Sequence, residues 1–250
     1  MKLAFSTLGC PDFDWQDIYS MAKDFGFSGI ELRGLGNDIF SVHAKPFRKE
    51  NLPRTKAQLT RQHLEIPCLS TGCSLKFPER REETLAEIRE YIDLAEQLGT
   101  PFIRILGDLT AAPEGEVDDA VVLESLKALA PLAEKAGVTL LVETNGVYAN
   151  TARLRDLLNQ VRSDSVAALW DIHHPYRYAG ESPEETVTNL GAYIKYVHVK
   201  DSVMENGKVS YRMMGEGDLP MEDVIRTLRS INYEGYLSLE WLKQYAPDLN

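Results

Sequence analysis

The sequence has few cysteines, no long apolar run and a shortage of basic residues, and each shortage narrows the class of protein. Cys10, Cys68 and Cys73 are odd in number and lack the paired spacing of zinc ligands, a pattern typical of buried thiols in a reducing compartment. No run of about 18 apolar residues occurs, so the sequence predicts no membrane span. The apolar stretch at residues 3–5 is too short for a signal peptide, and we therefore expect a cytoplasmic protein.

Basic side chains are outnumbered, because 27 Lys and Arg stand against 38 Asp and Glu, for a net charge of −11. This charge opposes binding to a phosphate backbone or an anionic membrane surface, so we expect neither nucleic acid nor membrane as a partner. A Gly-rich phosphate-binding loop with a basic neighbour is also lacking, which argues against a phosphorylated substrate. At 250 residues, 44% of them hydrophobic, the chain matches the size and composition of one α/β barrel.

What the sequence does contain is a regular alternation of short apolar runs with helix-length segments. The predicted strands are residues 3–6, 29–33, 66–71, 102–106, 138–142, 166–170, 194–197 and 236–239. The predicted helices are residues 15–25, 55–64, 78–98, 117–136, 152–161, 183–190 and 220–230. Eight buried strands alternating with helices indicate an α/β fold, the (β/α)8 TIM barrel. No linker interrupts the pattern, so we expect residues 1–250 to form a single domain.

Three local features complete the predicted barrel. Asp14 is expected to cap the first helix, and Asp218 or Leu219 the last. Residues 202–219 are expected to be irregular and to form a candidate lid at the rim of the barrel. Only residues 241–250 follow the last strand, so the last helix is expected to be short or missing.

Four consecutive strands in the second half of the chain each end on a residue that can bind a metal. These residues are Glu143, Asp171, His198 and Glu240. Because barrel enzymes hold their active sites at the carboxyl ends of the strands, we expect the four side chains to meet there. Carboxylates that converge in a partly dry site repel one another, and a bound dication is the simplest compensation.

Each of these residues taken alone also has an ordinary structural explanation. A strand-terminal Asp commonly caps a helix, and a histidine in an apolar strand is commonly a hydrogen-bonded core residue. Glu143 could pair with a basic residue such as Arg104. Glu31 and Arg33 close the second strand, where they either lie at the rim of the barrel or, as we expect, form a structural ion pair. The joint pattern on four successive strands is what favours a metal site over these explanations.

Several short segments carry a resemblance to a known family. They are residues 27–32, 142–145, 170–174, 197–201, 215–218 and 238–241. Through them the chain resembles, over nearly its whole length, the xylose-isomerase-like superfamily of sugar isomerases and epimerases. Within that superfamily it is similar to the ketose 3-epimerases, the hydroxypyruvate isomerases and the inosose dehydratases.

The resemblance implies one divalent metal ion, bound by Glu143, Asp171, His198 and Glu240, with Glu143 and Glu240 as the acid/base pair. Mn²⁺, Mg²⁺ or Co²⁺ suits oxygen ligands with one imidazole, and Zn²⁺ also fits. On a sugar or keto-polyol, removal of the proton beside a polarised carbonyl would give an enediolate. That intermediate leads to epimerisation, to isomerisation or, when a β-hydroxyl leaves, to dehydration. The resemblance also leaves a homo-oligomer open.

The resemblance implies that His174 holds a substrate oxygen, while His173 supports the site from behind. Lys200 lies two residues after the metal-binding histidine and shares its face of the strand. It is expected either to contact the substrate or to pair with Asp171 or Asp201.

One position departs from the ketose 3-epimerase pattern. Those enzymes place an arginine six residues after the metal-binding histidine, and here that position is Met204. Arg177, Arg212 or Lys208 is expected to take the place of that arginine in binding the substrate.

Two other functions are compatible with the barrel. A DNA-repair nuclease of the endonuclease IV type shares part of the ligand pattern, but it needs three metals and many more histidines than the five in this chain. A non-catalytic sugar-binding barrel is the second, and the complete ligand set argues against it. Metal analysis separates the three, because the enzyme would bind about one ion per chain, the nuclease about three and the binding protein none.

Overall fold

The computed structural model describes residues 1–36, 38, 40–241 and 243. The strands are β1 (Lys2–Ser6), β2 (Gly29–Glu31), β3 (Cys68–Ser74), β4 (Phe102–Leu106), β5 (Thr139–Glu143), β6 (Val166–Asp171), β7 (Ile194–Val199), β8 (Asp201–Glu205), β9 (Lys208–Arg212) and β10 (Tyr236–Leu239). The helices are α1 (Trp15–Asp24), α2 (Leu52–Arg61), α3 (Arg81–Leu98), α4 (Asp119–Ala136), α5 (Thr151–Val161), α6 (Pro183–Leu190) and α7 (Met221–Ser230).

Eight of the strands form one parallel sheet that curls into a barrel. Their order is β2-β1-β10-β7-β6-β5-β4-β3. Between the two ends of this order, Leu32 N–H donates to Cys68 O at 3.1 Å, and Ser70 N–H donates to Leu32 O at 2.9 Å. The sheet is therefore nearly closed, and the predicted TIM barrel is confirmed. The prediction of a short or missing last helix falls on residues 242 and 244–250, outside the described residues.

The barrel has an apolar interior that is separate from the larger core between strands and helices. This inner core is formed by Ala4, Cys68, Leu141, Ala167, Leu169, Tyr196 and Tyr236. Because side chains alternate along a strand, a residue two positions after an inner-core residue points into the same interior. Glu143, Asp171 and His198 each lie two positions after such a residue. The inner core is thus an apolar floor beneath the polar side chains at the strand ends.

The predicted caps of the first and the last helix have different outcomes. Asp14 caps α1 as expected, because its side chain accepts from the backbone N–H of Asp17. The cap of α7 is Pro220, so the predicted cap at Asp218 or Leu219 is wrong. Asp218 is held in the preceding loop instead, where its N–H donates to Ser202 O at 3.0 Å.

The stretch predicted to be irregular, residues 202–219, contains a β-hairpin, so that prediction is wrong in its first part. Strands β8 and β9 pair antiparallel from Asp201 opposite Arg212 to Glu205 opposite Lys208. The turn is Asn206-Gly207, and both residues have positive φ, 51° and 76°. An Asn-Gly pair with this backbone is the favoured two-residue hairpin turn, and it is the signal that predicts the hairpin. No helix in the described part of the chain is long and apolar enough to cross a membrane.

Candidate active site

The four side chains singled out in the sequence meet at the carboxyl end of the barrel. Ligand atoms of Glu143, Asp171, His198 and Glu240 all lie within 4.8 Å of one another, and each residue is 4% exposed or less. His198 Nδ1 lies 3.7 Å from Glu143 Oε1, 3.9 Å from Asp171 Oδ2 and 3.5 Å from Glu240 Oε1. We call these four residues the acidic cluster.

Strand register accounts for this convergence. Asp171 on β6 lies directly beside His198 on β7, and His198 lies beside Ser238 on β10. Glu240 follows β10, and its N–H donates to Val199 O at 3.1 Å, which continues the ladder past the end of the strand. Neighbouring parallel strands therefore deliver the side chains at one height in the barrel.

Two buried cations contact the carboxylates of the cluster. Arg104 Nε lies 2.5 Å from Glu143 Oε2, so the ion pair considered for Glu143 exists alongside its place in the cluster. Lys200 Nζ lies 2.6 Å from Asp171 Oδ2 and 2.5 Å from Glu240 Oε2. The ion pair expected between Lys200 and Asp171 is therefore present, and Glu240 shares the same ammonium group.

The charges of the cluster are set by burial and by these neighbours. Burial raises the pKa of Glu143, but Arg104 and then His198 outweigh it and hold that pKa well below its usual range. Burial also raises the pKa of Glu240, but Lys200 and then His198 outweigh it, so that this pKa too lies below its usual range. Both glutamates are therefore carboxylates at neutral pH and can accept a proton.

Glu31 lies on the far side of His198 from the cluster and is fully buried. The carboxylate of Glu31 receives hydrogen bonds from three side chains on other strands, while the ion pair expected between Glu31 and Arg33 stays a prediction. His198 Nε2 lies 3.0 Å from both of its oxygens, and Ser70 Oγ and Ser238 Oγ donate to it at 2.5 Å and 2.6 Å. The role of Glu31 is the main feature of the site that we did not predict.

The residues of the cluster fit a divalent cation. Since Nε2–H of His198 points at Glu31, the other ring nitrogen faces Glu143, Asp171 and Glu240, and it has no hydrogen-bond partner among the described residues. Its distances of 3.5–3.9 Å to their oxygens are too long for hydrogen bonds. They are near the spacing of atoms that share one ion at about 2.1 Å. Burial lowers the pKa of His198, but Glu31 and then Glu240 outweigh it and raise that pKa well above its usual range. The ring therefore holds a positive charge between the carboxylates, and a cation bound at Nδ1 would take its place.

His174 lies beside the cluster with both ring nitrogens lacking a hydrogen-bond partner in the described structure. Its Nδ1 is 3.7 Å from Glu143 Oε1 and 3.7 Å from Asp171 Oδ1. The backbone N–H of His174 donates to Asp171 Oδ1 at 3.1 Å. Burial is the main cause that lowers the pKa of His174, so its ring is neutral at neutral pH. A neutral imidazole can both donate to and accept from a substrate hydroxyl.

His173 connects the barrel to the hairpin. Its Nε2 is 3.1 Å from Ser202 Oγ, and its ring stacks on Tyr211 with centroids 5.5 Å apart. Tyr178 packs against His174, with ring centroids 6.0 Å apart. The two tyrosines form an aromatic wall next to the cluster that we did not predict, because their spacing in the sequence carries no signal of its own.

The two arginines expected to bind substrate both contact the hairpin. Arg177 Nε donates to Ser202 Oγ at 2.9 Å, and its guanidinium also pairs with Asp218. Arg212 lies on β9 and pairs with Glu205 across the hairpin at 2.5 Å. The structure thus places both arginines at the base of the hairpin, because Arg177 contacts Ser202 there and Arg212 lies opposite Asp201.

The segment 215–218 is fastened to the barrel by one buried carboxylate. Asp201 Oδ2 accepts from the N–H groups of Gly215 and Gly217, each at 2.9 Å. A Cβ on Gly217 would lie 1.9 Å from Asp201 Oδ1, so this close approach requires glycine. Asp201, the second partner considered for Lys200, is therefore engaged with this loop.

A nearly closed barrel with a carboxylate–imidazole cluster at its carboxyl rim defines a class of barrel enzymes. Within that class, this chain belongs to the xylose isomerase-like TIM barrel family, whose model matches residues 19–249. It is similar to fructoselysine 3-epimerase from Shigella flexneri, with 25% identity over 264 residues that cover 98% of this chain and 91% of that protein. It is also similar to inosose dehydratase from Clostridium perfringens, with 28% identity over 134 residues, or 47% of this chain and 45% of that protein.

Solved structures support the same fold. The zinc-bound IolI protein superposes with a TM-score of 0.79 at 17% identity, covering 100% of this chain and 92% of that one. The probable 3-DHS dehydratase AsbF from Bacillus anthracis superposes with a TM-score of 0.78 at 20% identity, covering 100% and 96%. The relatives support the expectation of an isomerase or epimerase, and they also support a dehydratase as the alternative.

Proposed function

We propose that this chain is a divalent-metal-dependent sugar epimerase or isomerase that acts on a ketose or related hydroxy-carbonyl compound through an enediolate. The observation that carries the proposal is the placement of Glu143 and Glu240 on either side of His198. Their Oε1 atoms lie 3.7 Å and 3.5 Å from its Nδ1. They reach the site from β5 and β10, which are separated by two strands, so a sugar bound between them meets a carboxylate on each face.

The chemistry then depends on moving one proton. When bound, the metal ion supplies Lewis-acid polarisation of the substrate carbonyl, which acidifies the neighbouring C–H. One glutamate removes that proton as a carboxylate. The other first takes a proton from solvent and then delivers it to the opposite face, which inverts the carbon. Return to the adjacent carbon gives isomerisation instead. Arg104 and Lys200 keep Glu143 and Glu240 ionised and hold them in place.

Substrate binding is assigned to the polar groups around this pair. His174 has a neutral ring with two available nitrogens, which suits a sugar hydroxyl. The ammonium group of Lys200 contacts Asp171 and Glu240, and its third N–H can donate to a substrate oxygen. Arg177, in the helical turn Pro175–Ala179, and Arg212, on β9, would contact the substrate in place of the arginine that Met204 replaces. The substrate is a small sugar or keto-polyol.

The ion itself is proposed from the ligand chemistry. Three carboxylates and one imidazole suit Mn²⁺, Mg²⁺ or Co²⁺, and Zn²⁺ is compatible with the same set. The IolI structure, which holds a zinc atom, is a relative by fold and supports a divalent metal in this chain. We propose one ion per chain, bound by Glu143, Asp171, His198 and Glu240.

A dehydratase is the second candidate, and Lys200 is the observation that favours it. Its buried ammonium group lies 2.6 Å from Asp171 and 2.5 Å from Glu240. When an enediolate forms beside a β-hydroxyl, that hydroxyl can leave as water if an acid donates a proton to it, and Lys200 is placed to do so. The similarity to inosose dehydratases agrees with this alternative.

One experiment separates these functions. The purified protein is loaded with Mn²⁺ and incubated in D₂O with a panel of ketoses, inososes and hydroxypyruvate, and the products are followed by NMR and mass spectrometry. Deuterium at a carbon beside the carbonyl without loss of water supports the epimerase or isomerase. Loss of one water identifies the dehydratase. A metal-loaded protein that exchanges no proton in any of these compounds contradicts both.

A further inference from the structure

Glu31 makes contacts that neither the metal cluster nor the acid/base pair accounts for. It ends β2, is fully buried, and accepts from three side chains carried by three other strands. Ser70 on β3 and Ser238 on β10 donate to its separate oxygens at 2.5 Å and 2.6 Å. His198 on β7 contacts both oxygens at 3.0 Å through Nε2. A carboxylate satisfied in this way has no freedom to rotate.

This arrangement decides which nitrogen of His198 faces the cluster. A carboxylate is an acceptor only, so Nε2 must carry the proton that lies between it and Glu31. When the ring gives up its other proton to bind a metal, the lone pair is therefore on Nδ1, the atom 3.5–3.9 Å from the oxygens of Glu143, Asp171 and Glu240. The opposite tautomer would place a lone pair against Glu31 and a proton where a metal ligand is needed.

We propose that Glu31 is a positioning residue that fixes the tautomer and orientation of His198, so that Nδ1 is the metal-binding atom. Its negative charge also makes the imidazole a better electron donor to a cation. The two serines hold Glu31 itself in place, and the imidazole ring separates Glu31 from the cluster, so it is not a fifth ligand. This inference rests on the proposed metal centre.

A purely structural role for Glu31 makes a different prediction. If the residue only fills a polar site in the core, its loss lowers stability and leaves metal affinity unchanged. Glu181 provides a matched control, because it is also a buried carboxylate that accepts from hydroxyl groups. Thr151 Oγ1 and Thr186 Oγ1 donate to Glu181 at 2.5 Å and 3.2 Å, and its hydrogen bonds do not involve the acidic cluster.

The test compares Zn²⁺ affinity in the wild type, Glu31→Gln and Glu181→Gln by competition with a chromophoric chelator. Circular dichroism and urea unfolding report whether each variant is folded. We expect Glu31→Gln to bind Zn²⁺ about 10–100-fold more weakly than the wild type, while Glu181→Gln binds it as the wild type does. Equal affinity of Glu31→Gln and wild type overturns the inference, and so does an equal loss in both variants.

A second measurement does not depend on any Glu31 variant folding. Ring ¹⁵N NMR of the zinc-loaded wild type, with His198 assigned by comparison with His198→Gln, reports which nitrogen holds the proton and which the metal. A proton on Nε2 with zinc on Nδ1 supports the inference, and the reverse overturns it. A wild type that binds no Zn²⁺ or Mn²⁺ overturns the proposed function itself, which distinguishes that failure from a failure of Glu31 alone.

Discussion

Arg104 and Glu143 lie side by side on adjacent strands, with the guanidinium Nε 2.5 Å from the carboxylate Oε2. The same guanidinium donates through NH1 to Thr71 O at 2.6 Å, which fixes it against β3. The base proposed for the reaction is therefore held by a buried cation that is itself held by the backbone. Arg104 is the first of the neighbours that keep Glu143 ionised, ahead of His198.

Replacing Arg104 tests this dependence. We expect Arg104→Met to lower the free energy of unfolding of the metal-free protein by about 3–5 kcal/mol, because Glu143 is left buried without its ion pair. Saturating metal should restore part of the loss. The surface variant Arg153→Met, which breaks a half-exposed pair with Asp119, should cost only about 0–1 kcal/mol. Urea unfolding with and without Mn²⁺ measures both, and equal losses in the two variants would contradict the expectation.

The role of the two glutamates in proton transfer can be measured separately from their role as metal ligands. We expect Glu143→Gln and Glu240→Gln each to abolish exchange of solvent deuterium into the substrate, because an amide cannot accept the proton. The variants are assayed at saturating metal, since the amide oxygen is a weaker ligand. The control Glu181→Gln should keep the exchange rate of the wild type. If both site variants still exchange deuterium, the assignment of the acid/base pair is wrong.

Metal binding should stabilise the fold through the acidic cluster. A ligand present at 100 times its dissociation constant contributes about 2.7 kcal/mol to the free energy of unfolding, so added Mn²⁺ should raise the melting temperature. His198→Ala removes a ligand and should abolish that rise. His63→Ala, at an exposed position distant in sequence from the cluster, should keep it. Thermal unfolding with and without metal makes the comparison, and a rise that survives in His198→Ala would place the ion elsewhere.

His174 should affect the substrate more than the metal. We expect His174→Phe to lower kcat/KM by about 10–100-fold, the loss of one or two hydrogen bonds to the sugar, while Mn²⁺ affinity is unchanged. Phenylalanine retains the ring that packs against Tyr178. A parallel loss of metal affinity would show instead that His174 is a ligand.

The sequence predicts those features of the structure that depend on residues close together in the chain. Apolar runs ending at Glu143, Asp171 and His198 predict both the barrel and the meeting of these side chains, because a strand direction and a two-residue alternation suffice. The role of Glu31 could not be predicted in this way. Its partners on β3, β7 and β10 are 39, 167 and 207 residues away, and only the closed barrel brings them together.

The β8–β9 hairpin was not predicted, for a different reason. Asn206-Gly207 between two short strands is a local signal that predicts a turn, and the expectation of an irregular stretch did not take it into account. The cap of α7 was missed because Asp218, a good capping residue, is bound by Arg177 from another loop. Tertiary contacts overrode a local preference there, and no inspection of residues 215–230 alone would reveal it.

The β8–β9 hairpin has its own two-residue turn, and Asp201 holds the loop that follows it through the amides of Gly215 and Gly217. Its tip can therefore change in length or composition while both ends stay fixed to the barrel. Tyr211 of this hairpin stacks on His173 beside the acidic cluster. Under the proposed function, exchanging residues 203–210 is therefore expected to alter substrate preference while the four proposed metal ligands stay in place.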